Sequence, residues 1–332
     1  MTPSTSARSA ATRRAIPSAI PATMRAAAID RFGGPEVLSI HTLPVPEPSA
    51  QEVLIALDAA GVGSWDARQR DGAWSAEGEE RFPLIPGTDG AGTVVSVGAR
   101  VERLAVGDYV YSYGYANPKG GFYAEYVAVS AGKVALVPDA LDEIHAGAVP
   151  TIGLTALQGV DDTLELAEGE SVIIHGASGN VGMLAVQFAK YRGARVLATA
   201  SGADGVEFVR RLGADDAVDG RRDDIVAAAK RFAPDGIDAV LALVGGEELT
   251  RCLDALRAGG RLAYPNGIEP EPRRRRGLSI KAYDAEPGSR QFDRLGRAIE
   301  EARLEIPIAE VFSLEDAAKA HERLERGHVL GK

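Results

Sequence analysis

The sequence predicts an α/β protein in two parts: a β-rich first half, then a doubly wound parallel sheet. Three observations predict it. Over residues 24–149 the apolar runs are short and broken by Gly and Pro, the pattern of many short strands in a barrel-like domain. From about Pro150, strands and helices alternate at the spacing of a parallel sheet with crossover helices. Residues 170–182, E-S-V-I-I-H-G-A-S-G-N-V-G, set a strand, a glycine-rich turn and a helix start end to end.

Residues 1–23 hold Ser, Thr, Ala and Pro with Arg8, Arg13 and Arg14, and no acid. A transit peptide has this composition. A twin-arginine signal needs a long apolar region, which Arg13-Arg14 lack; the favoured reading is a disordered extension. Residues 25–29 read as a strand, turned at Gly33-Gly34-Pro35 toward a partner at 37–40. Pro44, Pro46 and Pro48 read as an extended connector. Strands follow at 52–60, at 90–97, after the Val106-Gly107-Asp108 turn and at 123–129, with little helix before Leu141.

In the second half, 151–166 reads as one helix, and the helix after Gly182 follows the strand at Val172. Strands at 195–199, 216–218, 236–244 and 261–265 then alternate with helices at 206–212, 223–232 and 247–256. Gly213 and Gly259 read as C-terminal caps. Residues 278–283 read as the sheet's edge strand, and 291–302 and 314–325 as the last helices.

The formal net charge of −10 argues against nucleic acid or an anionic membrane as the main partner. No apolar run reaches the ~18 residues of a membrane span. Cys252 is the single cysteine, so no disulfide forms within the chain, and a cytoplasmic setting fits. Hydrophobic residues make up 45% of the chain, enough for two cores in 332 residues.

The chemistry begins at the glycine turn. A helix N-terminus that follows a strand and a tight turn aims backbone N–H groups at a pyrophosphate. Ser178, Gly179, Asn180 and Val181 are the candidates to hold it. Gly179 lets backbone approach the phosphates, and Gly182 lets the helix pack on its strand. Ala177 stands where the first glycine of G-x-G-x-x-G belongs, so a bare strand–turn–helix with a packing glycine is the competing reading. No acid occupies Ala200 or Ser201 after the second strand, where NAD-specific sites hold the ribose hydroxyls. That favours NADPH, with Ser201 donating to its 2′-phosphate. NADH becomes the alternative if Asp204 reaches the ribose.

Several stretches in order resemble the medium-chain dehydrogenase/reductase superfamily, nearest its zinc-independent, zeta-crystallin-like quinone oxidoreductase branch. They are F-G-G-P-E-V-L at 32–38, P-G-T-D-G-A-G-T-V-V-S-V-G at 86–98, G-G-F-Y-A-E-Y at 120–126, G-L-T-A-L at 153–157, G-A-S-G-N-V-G at 176–182 and A-H-E-R-L-E-R-G-H-V-L-G-K at 320–332. The resemblance implies a GroES-like β-barrel domain from 24–149 and 290–332, with a Rossmann domain at 150–289 between. It implies that Gly63, Thr88 and Asp89 stand at the zinc-ligand positions of zinc-dependent relatives, so no catalytic zinc is expected. It implies Arg221 or Arg222 in place of the family's other phosphate contacts, and Val244, Gly245 and Asn266 along the nicotinamide.

Catalytic candidates are Trp65 as a stacking surface, Tyr113 as a hydroxyl donor to the acceptor oxygen, and Thr155 beside the nicotinamide. Relatives carry N-P-x-D where this chain has Gly63-Ser64-Trp65-Asp66. Tyr111, Tyr113 and Tyr115 also fit one face of a strand, and Asp66 and Asp89 fit loop-holding roles. The implied function is hydride transfer from NADPH to a quinone or an α,β-unsaturated carbonyl. The alternatives are an enoyl-thioester reductase, which the basic run Arg273–Arg276 would suit, and a nucleotide-binding sensor with weak catalysis. A homodimer through the edge strand is the implied assembly.

Overall fold

The computed structural model of the chain describes residues 19–73, 82–115 and 117–332. Most of the expected N-terminal extension therefore lies outside the described residues. β1 (Thr23–Ala28) pairs antiparallel with β2 (Ser39–Pro44), Thr23 facing Pro44. The partner strand begins later than the sequence predicts because a short 3-10 turn, Pro35–Val37, takes up its first residues. Pro44 ends the strand, where its missing N–H costs no ladder bond.

The antiparallel sheet of the first half has five strands. They are β3 (Glu52–Ala60), β4 (Asp89–Val97), β5 (Tyr109–Tyr113), β6 (Tyr126–Ser130) and β7 (Val134–Leu136), in the order β6-β3-β4-β5-β7. Helix α1 (Ser64–Asp71) lies between β3 and β4. The sequence hid it, because S-W-D-A-R-Q-R-D has no apolar stripe. It forms because Asp66, at its third position, accepts the Gly63 N–H at 2.7 Å, and Gly72 at φ 80 ends it. Helix α2 (Glu143–Ala148) is capped by Asp142, which accepts the His145 N–H.

α3 (Pro150–Gln158) is buried throughout. The single helix expected over 151–166 instead widens into a π turn over 159–163. A side chain at Gly159 would meet the ring of Tyr283 at 2.9 Å, so a glycine is required at that crossing.

The second half alternates strictly. β8 (Ser171–His175), α4 (Gly182–Tyr191), β9 (Arg195–Ala200), α5 (Gly202–Arg211), β10 (Asp216–Asp219), α6 (Ile225–Phe232), β11 (Ile237–Ala242), α7 (Glu247–Asp254), β12 (Leu256–Pro265) and β13 (Ser279–Tyr283) follow one another. The six strands are all parallel, in the order β10-β9-β8-β11-β12-β13. Gly259, expected as a helix cap, lies inside β12, because α7 already stops at Asp254. Strand order reverses between β8 and β11, the place where open parallel sheets bind ligands beyond their carboxyl ends.

α8 (Ser289–Ala302) and α9 (Ala317–Glu325) follow, and a tail at 326–332 ends the described chain. Phe292, Leu295, Ala298 and Ile299 of α8 share one core with Ile152, Leu154 and Val186. On the other side, the Tyr111 ring of β5 packs on Phe292 at 4.9 Å, and its hydroxyl donates to the Phe292 carbonyl at 3.2 Å. One helix thus joins the two sheets. Each large apolar side chain buried there contributes roughly 1.5–3 kcal/mol. The opposite face of the parallel sheet has its own core, built on Ile173, Leu197, Val240 and Leu262 under α6 and α7.

Candidate cofactor and acceptor cleft

A cleft of about 1370 Å³ runs between the two sheets, across the carboxyl ends of β8 and β11. Trp65, Tyr113, Thr155, Ser178, Gly179, Asn180, Val181, Ser201, Arg221, Val244, Gly245 and Asn266 all line it. The structure brings these candidates into one cleft, whereas Tyr111, Asp204, Arg222 and Arg273–Arg276, also weighed from the sequence, do not line it.

Backbone geometry makes the floor. Gly176 takes φ 83, and a Cβ at Gly182 would lie 2.6 Å from the Ala177 Cα, so the start of α4 presses on the turn. At Gly179 a Cβ would meet no atom nearer than the Gly176 carbonyl oxygen at 3.5 Å. The turn therefore stays open on the side where a phosphate would approach. A Cβ at Gly245 would lie 2.6 Å from the Glu269 carbonyl carbon, which draws the 243–246 and 266–270 loops together. Ser201 stands at the N-cap of α5, yet its hydroxyl makes no capping bond. Arg221 is exposed at the rim, its backbone N–H held by Asp219 at 3.1 Å.

The acceptor end is aromatic. Of the three tyrosines, Tyr111 is fully buried in the core, while Tyr113 and Tyr115 line the cleft. Burial, then Asp89, pushes the Tyr113 hydroxyl up to about 12, so it stays a donor at neutral pH. The Thr155 hydroxyl is already used within its helix, donating to the Thr151 carbonyl at 2.8 Å. Trp65 has the Lys332 ammonium 5.0 Å from its ring centroid, a cation–π contact. The Asn266 amide donates to Asp284 at 2.7 Å.

Beneath Trp65 lies a set of buried charges. Asp66 and Asp89 are fully buried. Asp66 accepts from the Gly63 N–H, from the Thr88 hydroxyl at 3.0 Å and from the Tyr123 hydroxyl at 3.3 Å. Burial, then Asp89, raises its pKa to about 7. Asp89 accepts the Thr151 N–H at 2.8 Å, and burial raises it also. His321 bridges Tyr123 and Arg70 at 3.1 and 2.9 Å. Arg70 can only donate, so the proton of neutral His321 sits on Nε2, facing the Tyr123 oxygen. Burial, then Arg70, holds His321 down to about 4. Asp66 and Asp89 thus hold α1 and the start of α3 in place.

Gly63, Thr88 and Asp89 hold the positions at which the resemblance places zinc ligands in zinc-dependent relatives. Gly63 offers no ligand, the Thr88 hydroxyl is spent on Asp66, and Asp89 faces the backbone of α3. Among the described residues no group of three or more His, Cys, Asp or Glu side chains is placed to hold a metal. Also among the described residues, no helix is long and apolar enough to cross a membrane.

Sequence reasoning missed several cleft residues. His175 ends β8, with Nδ1 2.7 Å from the Thr199 hydroxyl, and burial holds it down to about 4. Arg68 reaches across the cleft to Glu269 at 3.6 Å. Arg326, His328 and Lys332 come from the tail. The R-G-H-V-L-G-K ending at 326–332 was the one signal for these last.

Residues 49–139 match the family described as "Alcohol dehydrogenase GroES-like domain", and residues 212–332 match "Zinc-binding dehydrogenase". The quinone oxidoreductase of Lama guanicoe is 33% identical over 314 residues, 91% of this chain and 93% of that protein. The chain belongs to the quinone oxidoreductase family of medium-chain dehydrogenases/reductases. It is an oxidoreductase, with a GroES-like domain and a Rossmann-type parallel sheet. The "NADPH-dependent alkenal/one oxidoreductase, chloroplastic" of Arabidopsis thaliana is 34% identical over 277 residues, 81% of this chain and 69% of that protein. The structure of the Escherichia coli quinone oxidoreductase complexed with NADPH has a TM-score of 0.82 and 26% identity, covering 93% of this chain and 98% of that one. The chain puts its strand-order reversal, between β8 and β11, under the glycine turn.

Proposed function

We propose that this quinone oxidoreductase uses NADPH to reduce a quinone or an α,β-unsaturated carbonyl, without zinc. The observation that carries the reading is a single cleft with a phosphate-type glycine turn at one end and a tyrosine hydroxyl and an indole at the other. Relatives described as a quinone oxidoreductase and as an NADPH-dependent alkenal/one oxidoreductase support the acceptor class. The residues fit NADPH. The open backbone at Gly179 suits the pyrophosphate, and the uncapped Ser201 hydroxyl beside Arg221 suits the 2′-phosphate. Val244, Gly245 and Asn266 line the nicotinamide end. When bound, NADPH supplies a hydride to the acceptor.

Tyr113 then does the protein's part. Its hydroxyl bonds the acceptor oxygen and stabilises the charge that develops there, which a proton from solvent or from this tyrosine then neutralises. Trp65 forms the wall against which a flat acceptor lies, and Thr155 shapes the nicotinamide end. With no metal ligand set at residues 63, 88 and 89, orientation and hydrogen bonding replace a Lewis acid. In domain terms, 24–149 with 290–332 carries the acceptor wall and 150–289 the cofactor floor. A second copy pairs at the exposed edge of β13, and the protein works in the cytoplasm.

Spectrophotometry of NADPH oxidation with a panel of quinones, enones and enoyl thioesters tests the reading. Turnover with quinones or enones is expected. Turnover confined to thioesters, or tight NADPH binding with none at all, would replace it. Metal analysis finding one zinc per chain would end the zinc-free assignment, and sedimentation showing monomers would end the dimer.

A further inference from the structure

The tail crosses the cofactor end of the cleft in an unusual backbone. Gly327 and His328 take φ 69 and φ 50, consecutive left-handed residues. For histidine this conformation costs on the order of 1 kcal/mol. The Arg323 guanidinium holds the segment there by donating to the Gly327 carbonyl at 3.1 Å. The result aims the His328 ring at α5. Its Nε2 lies 2.8 Å from the Asp204 Oδ2, and since a carboxylate only accepts, that nitrogen carries the hydrogen. The other oxygen of Asp204 accepts the Gly205 N–H at 2.9 Å. Both oxygens of Asp204 are therefore committed.

Position completes the argument. Ser201, Arg221, Arg326 and His328 line the cleft, whereas Asp204 does not. Asp204 is the first acid after β9, and an acid in that region is what holds the two ribose hydroxyls of NAD. The same carboxylate turned into the cleft would repel a 2′-phosphate on Ser201. His328 lines the cleft and is bonded to the acid, which does not line it.

We propose that His328 sets coenzyme preference, by holding the Asp204 carboxylate behind the cleft wall and leaving the Ser201 end free for a 2′-phosphate. The inference rests on the NADPH reading above. His328 acts through Asp204, so it is a positioning residue rather than a catalytic one. The hydrogen bond from His328, then the Gly205 N–H, holds the Asp204 carboxyl below the ordinary carboxylate range, in keeping with a fixed charge that must be kept away from another. Preference here is a difference between two affinities, achieved by removing a repulsion.

Fluorescence titration of the full chain with NADPH and with NADH, at one ionic strength, reads it out. For His328→Ala, NADPH binding is expected to weaken about tenfold while NADH binding holds or tightens, the cost of one uncompensated charge contact. Adding Asp204→Asn to that variant should return NADPH affinity to within about threefold of the parent, since the acid has been removed. Both side chains are about half exposed, so the variants keep the fold, which the melting temperature checks. A His328→Ala variant that weakens both coenzymes by the same factor would overturn the inference and make the contact a simple strap. So would a double variant that fails to recover. A parent chain with no preference for NADPH would overturn the underlying reading and this inference with it, whereas a preferring parent with an unaltered His328→Ala ratio would overturn the inference alone.

Discussion

A Cβ on Gly63 would lie 2.5 Å from Cζ2 and 2.9 Å from Nε1 of the Trp65 indole. The indole therefore occupies the space a side chain at 63 would need. Where relatives have N-P-x-D, this chain keeps the aspartate but exchanges the asparagine for the room to hold a tryptophan.

The two positions should behave as a coupled pair. Gly63→Asn alone forces the indole aside and should lower stability by roughly 1–3 kcal/mol, the usual cost of overpacking. Gly63→Asn with Trp65→Ala should recover most of that loss, because the obstacle is gone. Thermal or urea unfolding of the two single variants and the double variant measures the coupling. Strict additivity would mean that the indole yields freely.

Asp66 gives a pH prediction whose sign depends on its burial. Its folded pKa of about 7 lies above the ordinary 3.8, so the native state binds the extra proton. The stability this brings is complete below about pH 4 and is lost as pH rises through about 7. The shift corresponds to roughly 2–4 kcal/mol after allowance for coupling with Asp89. His175 and His321, both held down to about 4, act in the opposite sense. They must stay neutral, so they add stability as pH rises from about 4 to the ordinary 6.5 and nothing beyond. From pH 4.5 to 6.5 the two histidines outweigh Asp66, so stability should rise there, and it should rise more steeply in Asp66→Asn, which lacks the opposing loss. Urea unfolding of both proteins at pH 4.5 and pH 6.5 checks it; equal gains in the two would show that Asp66 does not titrate there.

The glycine turn separates stability from binding. Gly182→Ala puts a methyl 2.6 Å from backbone at Ala177 and should cost several degrees of melting temperature. Gly179→Val meets only the Gly176 oxygen at 3.5 Å, so the fold should hold while NADPH binding weakens at least about tenfold, because the backbone can no longer reach a phosphate. Calorimetry and coenzyme titration on the two variants make the test. Retained affinity in Gly179→Val would remove the phosphate assignment.

The β8–α4 unit was legible because three signals agreed: apolar run, glycine turn and helix period. The edge strand near 278–283 was legible for similar local reasons. α1 was not, since it is held by Asp66 and Gly72 rather than by periodicity. The π turn after Gln158 depends on Tyr283, more than a hundred residues away, which no window could show. In the cleft, the residues from chain-local motifs were found, and those delivered by the tail were not. His328 meets Asp204 only after the chain has gone through α5 to α9, and Lys332 reaches Trp65 the same way.

Tyr113 and Tyr111 have the same chemistry and different surroundings, which makes them a controlled pair. Tyr111 spends its hydroxyl on the Phe292 carbonyl inside the core. Tyr113 lines the cleft, and with its hydroxyl pushed up to about 12 it rests protonated at neutral pH. Tyr111→Phe should therefore cost about 1 kcal/mol of stability and leave kcat unchanged. Tyr113→Phe should leave stability and NADPH affinity unchanged and lower kcat about 10- to 100-fold, the value of one donor aimed at developing charge. Because the donor stays protonated, its contribution should be flat from pH 6 to pH 9, and any bell in the rate profile must come from elsewhere. Steady-state kinetics of both variants with one quinone decides it: if Tyr113→Phe turns over as fast as the wild type, the acceptor oxygen is held by another group.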